Sequence, residues 1–282
     1  MSSGRIIKSA DGTDIYAEAV GNPSKPAVVF IHGFSMSAMA FNAIFDDPLW
    51  IADLYLVRYD VRGHGRSGKP TDEATWESRR LAEDFDAVVD AFGLVRPFVL
   101  GWSLGGTYIT DILCFKPPTY VSGIIYAAPL PYMGPTLAKV GSAACLATLP
   151  GLTQGTDVDA YHANALAFLG LCLPHSTAQA SDDFYLGCLG SSLVQPRAVT
   201  VRLLSRTQDE RALLRAGRDG ALPLLVVLGA RDRVIVRQAV LDAVEGWKNM
   251  DVVDIEDAEH FLWISRPDKF RETVVGWVSA HT

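Results

Sequence analysis

The amino-acid sequence predicts an α/β fold, in which a mostly parallel, doubly wound sheet carries helices on both faces and a helical cap is inserted. The first observation is a set of short apolar runs separated by segments of helical length, an alternation typical of βαβ units and parallel sheets. The runs are residues 27–31, 54–59, 98–100, 123–127, 224–228 and 252–255. The second observation is that this alternation stops between residues 134 and 221, where helical apolar patterns replace it.

The elements before the cap follow from local patterns. Residues 5–18 alternate in polarity around Asp11 and Gly12, which predicts a β-hairpin near the start of the chain. The clearest helix spans residues 78–92, where apolar side chains recur on one stripe and acidic side chains lie largely off it. The stripe consists of Leu81, Phe85, Val88, Val89 and Phe92.

The cap is predicted from the break in the strand pattern. Helical patterns occur at 161–171 and 199–214, and the chain then returns directly to the strand at 224–228, so we expect a lid over one domain rather than an independent module. Residues 1–133 and 222–282 are assigned to the core and residues 134–221 to the cap. Few charges occur near residues 161–173, which predicts a largely apolar site for a small-molecule substrate.

Composition and charge exclude several functional classes. Of the 282 residues, 49% are hydrophobic and 20% are charged, and no uninterrupted apolar segment is long enough to span a bilayer. The net charge of −7 reflects 25 basic and 32 acidic residues, without a basic stripe that could follow a phosphate backbone. We therefore expect neither a nucleic-acid partner nor a membrane span, and the sequence leaves the oligomeric state open.

Targeting and metal-binding signals are also missing from the sequence. Residues 1–5 lack the apolar core of a signal peptide and residues 280–282 match no targeting or lipidation motif, so we expect a cytoplasmic protein. The four cysteines have neither zinc-pair nor redox spacing, which predicts that most are buried free thiols. Cys172 lies near His175, but this pair in an apolar stretch indicates packing rather than metal ligation. We expect no metal ion and no cofactor.

Residues 101–106 carry the strongest functional motif. Ser103 lies in a G-x-S-x-G pattern between the run at 98–100 and a helical pattern at 107–113, as in a nucleophile elbow. The flanking glycines allow the helix to pack close to the strand, while the serine takes a strained conformation that exposes its hydroxyl group. The alternative is a plain glycine-rich turn, because so short a pattern also occurs by chance.

A serine nucleophile needs a base that takes its proton and an acid that orients the base. His260 follows the last predicted strand, and Asp232 follows the run at 224–228. Both residues therefore lie beyond the carboxyl ends of strands, where the ligand sites of open parallel sheets form. Asp257 and Glu259 are too close in sequence to His260 to reach its far ring nitrogen easily, and we interpret them as solvated surface residues.

The order Ser103, Asp232, His260 is the order expected of the α/β-hydrolase superfamily, which the sequence resembles over nearly its whole length except in the cap. The resembling segments are residues 32–34, 60–67 and 101–106, the turn at Asp232 and the loop at His260. The resemblance implies an α/β-hydrolase fold in which Ser103, Asp232 and His260 are the catalytic residues. We interpret residues 60–67 as a glycine-rich loop held by its own charges, without a catalytic role.

The same resemblance implies the remaining site residues. The backbone N–H groups of Phe34 and Leu104 are expected to form the oxyanion hole. Phe34 and Trp102 are expected to line the substrate pocket, and core packing is the alternative for both side chains.

The resemblance implies a serine hydrolase that cleaves a carboxylic ester through an acyl-enzyme. Lactonases, thioesterases, carbon-carbon bond hydrolases and cofactor-free perhydrolases share the same catalytic set, and the motifs do not separate them. Serine at position 103 argues against epoxide hydrolases and haloalkane dehalogenases, which use an aspartate nucleophile. A noncatalytic small-molecule receptor is the alternative from another functional class.

Overall fold

The computed structural model describes residues 4–173 and 181–282, which are built around an eight-stranded sheet. The strands are β1 (Arg5–Lys8), β2 (Asp14–Val20), β3 (Ala27–Ile31), β4 (Tyr55–Tyr59), β5 (Phe98–Trp102), β6 (Gly123–Ala127), β7 (Leu224–Gly229) and β8 (Met250–Ile255). Their order is β1-β2-β4-β3-β5-β6-β7-β8. Strand β2 pairs antiparallel with β1 and β4, and the other neighbours pair parallel. The predicted hairpin and mostly parallel sheet are confirmed.

The helices connect the strands and cover the sheet. They are α1 (Asn42–Phe45), α2 (Pro48–Asp53), α3 (Ser78–Ala91), α4 (Gly105–Phe115), α5 (Pro135–Val140), α6 (Ala143–Leu152), α7 (Val158–Cys172), α8 (Asp182–Val194), α9 (Arg197–Ser205), α10 (Arg211–Arg218), α11 (Arg237–Ala243), α12 (Leu262–Ser265) and α13 (Pro267–Ala280). Short 3₁₀ helices lie at Ala38–Phe41, Glu73–Trp76 and Pro118–Tyr120. The helix predicted at 78–92 is α3, which buries Leu81, Phe85, Val88 and Val89 of the expected stripe. Phe92, the last member of the stripe, follows the end of α3 and is half-buried.

The central strands bring the predicted site residues to one edge of the sheet. In the parallel register, Ile31 of β3 lies beside Gly101 of β5, which lies beside Tyr126 of β6. The segments that leave the carboxyl ends of these strands therefore begin at the same level. Strands β7 and β8 continue the parallel arrangement, so the turn at Asp232 and the loop at His260 follow at this edge.

The region predicted as a cap is helical wherever it is described. Within 134–173 and 181–221, the regular structure consists of α5 to α10. The helical pattern predicted at 199–214 is divided between α9 and α10. Between these helices, polar side chains form hydrogen bonds to the core. Arg206 Nη2 donates to Asp111 Oδ1 at 2.7 Å, and Gln208 Nε2 donates to Thr107 O at 2.8 Å. A continuous helix would not direct both side chains to these partners, so the break attaches this region to α4.

Three further expectations concern cysteine chemistry and the membrane. All four cysteines are free thiols, of which Cys145, Cys172 and Cys188 are buried, as predicted. His175 lies outside the described residues, so its interpretation as a packing residue stays a prediction. Across 4–173 and 181–282, we find no helix with the length and apolar character needed to cross a membrane.

Candidate active site

Ser103 lies in a tight turn between β5 and α4. Its φ of 55° is in the left-handed region, which is unfavourable for a residue with a side chain. The turn is possible because β5 and α4 touch through glycines. A Cβ atom on Gly101 would lie 2.7 Å from the Gly106 Cα atom, and one on Gly105 would lie 2.2 Å from the Ile31 carbonyl oxygen. The local backbone is thus the elbow that the sequence motif predicts.

The strained backbone at Ser103 is held from the neighbouring strand. Its N–H donates to Ala127 O at 3.1 Å, and its carbonyl accepts the Leu130 N–H at 2.9 Å. Both partners come from the segment that ends β6. Surrounding hydrogen bonds of this kind are what allow a residue to persist in a sparsely populated conformation.

Asp232 and His260 form a buried pair. The His260 ring donates through Nδ1 to Asp232 Oδ2 at 2.8 Å, and their side chains are only 1% and 3% exposed. The other carboxylate oxygen, Oδ1, accepts the backbone N–H groups of Val234 at 2.7 Å and Ile235 at 3.2 Å. Because a carboxylate accepts at Nδ1–H, the neutral imidazole keeps its lone pair on Nε2. The hydrogen bond to Asp232 therefore holds the His260 ring in one orientation.

The loop after β3 lies against Ser103. A Cβ atom on Gly33 would be 3.0 Å from the Ser103 Cβ atom, so the two segments are in close contact. Phe34 follows in this loop, and Leu104 follows Ser103 at the start of α4. In the part of the chain that the structure describes, neither the Phe34 N–H nor the Leu104 N–H donates a hydrogen bond to another protein group. These two N–H groups, in segments close to Ser103, therefore have no protein acceptor among the described residues.

A small apolar cavity opens beside Ser103. Its lining is contributed by the loop after β3, the elbow, the segment after β6, helices α5, α6, α7 and α9, and the turn after Asp232. The lining residues are Phe34, Ser103, Leu104, Leu130, Leu137, Val140, Gly141, Cys145, Leu149, Phe168, Leu204, Val234 and Ile235. The Ser103 hydroxyl is the strongest polar group of the lining.

Trp102 is placed differently from the expectation that it lines the pocket. Its side chain is 1% exposed, does not contribute to the cavity beside Ser103, and packs with Phe261 and Trp263 at centroid distances of 4.3 and 5.1 Å. Its indole Nε1–H donates to the His260 carbonyl oxygen at 3.0 Å. Neighbouring side chains of a strand point in opposite directions, so a buried Trp102 accompanies an outward Ser103. Trp102 is therefore a core-packing residue, which was the alternative to a pocket residue. Phe34 lines the cavity, as expected.

The fold and this set of residues can be compared with known proteins. Residues 26–267 match the family model described as the alpha/beta hydrolase fold. The chain belongs to this family. Over 266 residues it is 28% identical to the pimeloyl-[acyl-carrier protein] methyl ester esterase of Pectobacterium carotovorum, covering 93% of this chain and 97% of that relative. Its structure is similar to that of the esterase RhEst1 from Rhodococcus sp. ECU1013, with a TM-score of 0.88, 27% identity and coverage of 99% and 100%.

A shorter match has higher identity. This alpha/beta hydrolase is 39% identical over 110 residues to the Mycobacterium tuberculosis protein named "Probable oxidoreductase EphD". The matching segment is 39% of this chain and 18% of that relative, so the two proteins are alike in only part of their lengths. The family match covers most of this chain, and the two proteins that match it over nearly its whole length are named as esterases.

A buried polar network that the sequence did not predict lies beside the elbow of this alpha/beta hydrolase. His32 Nε2 accepts the Val61 N–H at 3.1 Å, and the His64 ring lies edge-on to the His32 ring at 4.9 Å. Burial lowers the pKa of His32 to about 4 and that of His64 to about 3, so both imidazoles are neutral near pH 7. Gln195 reaches this network from the cap. No local motif marks such a contact, because its partners are distant in sequence.

The loop at 60–67 is held by charged side chains, as expected, but its strongest partners lie outside it. Asp60 accepts the Ala38 and Arg66 N–H groups, each at 2.7 Å. Arg62 is fully buried and donates to both carboxylate oxygens of Asp84, at 2.7 and 2.6 Å. None of residues 60–67 lines the cavity beside Ser103.

Of the rival acidic residues, Asp257 pairs with arginine side chains rather than with the His260 ring. Asp257 forms ion pairs with Arg231 and with Arg266, the latter at 2.7 Å. Its carboxylate is half-buried at the surface. Glu259 donates its backbone N–H to Ser265 Oγ at 3.2 Å. Asp232 is the acid that forms the 2.8 Å hydrogen bond with His260 Nδ1.

Proposed function

We propose that this chain is a serine hydrolase that cleaves a carboxylic ester through an acyl-enzyme. One observation carries the proposal: a serine in a strained elbow faces an apolar cavity and shares the sheet edge with a buried Asp-His pair. The full-length similarity to proteins named as esterases supports the same reaction class. Residues 134–221 are, in this proposal, the cap over the site.

The proposed reaction has two steps, each with a proton transfer at His260. In the first, His260 Nε2 takes the Ser103 proton, Ser103 Oγ attacks the ester carbonyl, and the proton passes to the departing alcohol. In the second, His260 activates a water that attacks the acyl-enzyme and releases the acid. The N–H groups of Phe34 and Leu104 stabilise the negative oxygen of both tetrahedral intermediates. The reaction uses no metal ion or cofactor.

The cavity supports an apolar acyl or alcohol group as the bound part of the substrate. Its walls are almost entirely aliphatic and aromatic, and burying a methylene group contributes about 0.8 kcal/mol. Lactones, thioesters, carbon-carbon bonds and peracids remain alternatives, because the same catalytic set serves all of them. A hydrolysis panel that contains short and long acyl esters, thioesters, lactones and β-diketones would separate these subclasses.

A noncatalytic receptor is the competing class, and labelling with a serine-directed fluorophosphonate separates the two. We expect the folded protein to be labelled at Ser103, with the site mapped by mass spectrometry. Ser103→Ala should lose both the label and the turnover of 4-nitrophenyl butyrate. Ser24→Ala, at an exposed turn, is the matched control and should keep both. A folded wild-type protein whose Ser103 stays unlabelled would sink the enzyme proposal.

A further inference from the structure

We propose that Gln195, which the cap supplies, is a positioning residue for the oxyanion hole. The inference rests on the proposed function, because it assigns Gln195 a role in holding the Phe34 N–H. Gln195 lies between α8 and α9, far in sequence from the loop after β3. Its side chain nevertheless reaches that loop at Ser35, the residue that directly follows Phe34.

A chain of three hydrogen bonds connects this loop to the core through Gln195. Ser35 Oγ donates to Gln195 Oε1 at 3.0 Å, and Gln195 Nε2 is 3.0 Å from His64 Nε2. His64 Nδ1 is 3.0 Å from the Arg62 carbonyl oxygen. Because a carbonyl can only accept, His64 donates through Nδ1 and accepts from Gln195 through Nε2. Each polar atom in this series of hydrogen bonds is therefore either a donor or an acceptor, and the amide of Gln195 has one orientation.

Breaking this series of hydrogen bonds is unfavourable because the side chains that form it are buried. The residues Ser35, His64 and Gln195 are 5%, 1% and 2% exposed. Burial also lowers the pKa of His64 to about 3, so the ring remains a neutral acceptor at neutral pH. If the Gln195 amide were lost, the Ser35 hydroxyl and the His64 Nε2 would each lose a partner without gaining water.

The backbone at Ser35 explains why the loop needs such support. Its φ of 57° is in the left-handed region, where a residue with a side chain is disfavoured. A side-chain hydrogen bond to a fixed partner stabilises this conformation, and the conformation sets the direction of the preceding peptide units. The Phe34 nitrogen is two bonds from the peptide group that joins Phe34 to Ser35. The direction of the Phe34 N–H therefore depends on the backbone conformation at Ser35.

The cap holds Gln195 and Phe34 independently. Arg197 Nη2 donates to the Gln195 carbonyl at 3.1 Å, and its guanidinium lies 4.0 Å from the centre of the Tyr161 ring of α7. The Phe34 ring meets Phe168 of α7 edge-on, with centroids 5.7 Å apart. The cap thus contacts the loop after β3 through both polar and apolar side chains, and Gln195 makes the polar contact with Ser35.

The test replaces Gln195 by a residue of similar shape that cannot form the hydrogen bonds. In Gln195→Met we expect kcat for 4-nitrophenyl butyrate to fall by about 10- to 100-fold, less than the loss of a whole oxyanion donor, with KM changed by about twofold or less. Binding of a trifluoromethyl ketone, which forms an oxyanion on Ser103, should weaken by the same factor as kcat. Ser35→Ala should reproduce the effect, and the double variant should lose little more, because both act through one interaction.

Ser191→Ala is the matched control. It removes another buried hydrogen bond between the cap and the core, from Ser191 Oγ to Ser37 Oγ at 3.1 Å, without touching Ser35. We expect its kcat to match the wild type. Unchanged kcat in Gln195→Met, a rise in KM alone, or an equal loss in Ser191→Ala would each overturn the positioning role. If Gln195→Met fails to fold, Ser35→Ala decides by the same criteria. If the wild-type protein showed neither ester turnover nor labelling at Ser103, the proposed function itself would be overturned.

Discussion

At the scale of single residues, the orientation of Asp232 decides which proton His260 carries. Oδ1 accepts two backbone N–H groups, from Val234 and Ile235, and only Oδ2 faces His260 Nδ1. An asparagine at this position would keep its carbonyl oxygen on the two N–H donors. Its NH₂ group would then face Nδ1, which would have to accept, and the ring proton would move to Nε2.

Asp232→Asn is therefore expected to retain the fold and lose the base. A ring protonated on Nε2 cannot take the Ser103 proton, so kcat should fall by about 10⁴. The measurement is kcat with 4-nitrophenyl butyrate, together with circular dichroism to establish folding. Asp257→Asn changes an acid three residues from His260 that pairs with Arg231 and Arg266 instead, and it should keep normal activity. A near-normal rate in Asp232→Asn would remove Asp232 from the proposed triad.

The sequence could predict these residues because each follows a strand with a recognisable local pattern. Ser103 has glycines around it, and Asp232 and His260 follow predicted strands in the expected order. The direction of the Trp102 ring could not be predicted, because it depends on Phe261 and Trp263, which are about 160 residues away in the sequence. The partners of Gln195 are similarly distant. Contacts between remote segments leave no periodic pattern in the chain.

At the scale of elements, helix α7 contributes to the lining of two cavities. The first is the apolar cavity beside Ser103, and the second is a separate, smaller cavity. The second is lined by Ser35, Met36, Leu152, Ala165, Phe168, Leu169, Cys188, Leu189 and Ser192. Phe168 is the residue that both linings share. We infer that the Phe168 ring lies between the two cavities and, in the proposed function, limits the length of an acyl chain that extends from Ser103.

Replacing Phe168 by Ala should join the two cavities and favour longer substrates. We expect the ratio of kcat/KM for the 4-nitrophenyl dodecanoate ester to that for the butyrate ester to rise about tenfold, because each newly buried methylene contributes about 0.8 kcal/mol. The ratio removes any general loss of activity that follows from the lost contact with Phe34. Leu149→Ala enlarges only the first cavity and should change the ratio less.

A second substitution makes this prediction reversible. Ala165 lines only the second cavity, so adding Ala165→Leu to Phe168→Ala should refill that space and return the ratio toward the wild-type value. If the ratio does not change in Phe168→Ala, the ring does not limit chain length. If it rises but Ala165→Leu leaves it high, the extra methylenes occupy another space.

At the scale of the whole molecule, the sheet could be predicted better than the way the cap is attached. Parallel strands covered on both faces are continuous apolar runs, so their number and mostly parallel sense follow from the sequence. The attachment depends on buried polar groups such as Gln195 and Gln208, which bind the core across 131 and 101 residues of sequence. Such groups are compatible with many environments, and only the folded chain shows their partners. The same buried network also connects the stability of the molecule to pH.

His32 and His64 should make the protein less stable in acid. Burial lowers the pKa of His32 to about 4 and that of His64 to about 3, whereas an unfolded histidine has a pKa of about 6.5. Below about pH 6.5 the unfolded chain therefore binds protons that the folded chain excludes, and the free energy of unfolding falls as the pH decreases. The loss continues until the pH approaches the folded pKa values. At pH 5 each histidine should account for a loss of about 2 kcal/mol.

The contribution of His64 can be isolated with a residue that does not titrate. In His64→Gln, the fall in the free energy of unfolding between pH 7 and pH 5, measured by urea denaturation, should be about 2 kcal/mol smaller than in the wild type. Comparing the two pH values cancels the stability lost through altered packing. Carboxylates that burial makes less acidic, such as Asp60 and Asp84, act in the opposite sense in both proteins. His162→Gln changes an exposed ring and should leave the wild-type fall unchanged. If the free energy of unfolding fell as much in His64→Gln as in the wild type, the buried His64 ring would take up its proton as readily in the folded chain as in the unfolded one.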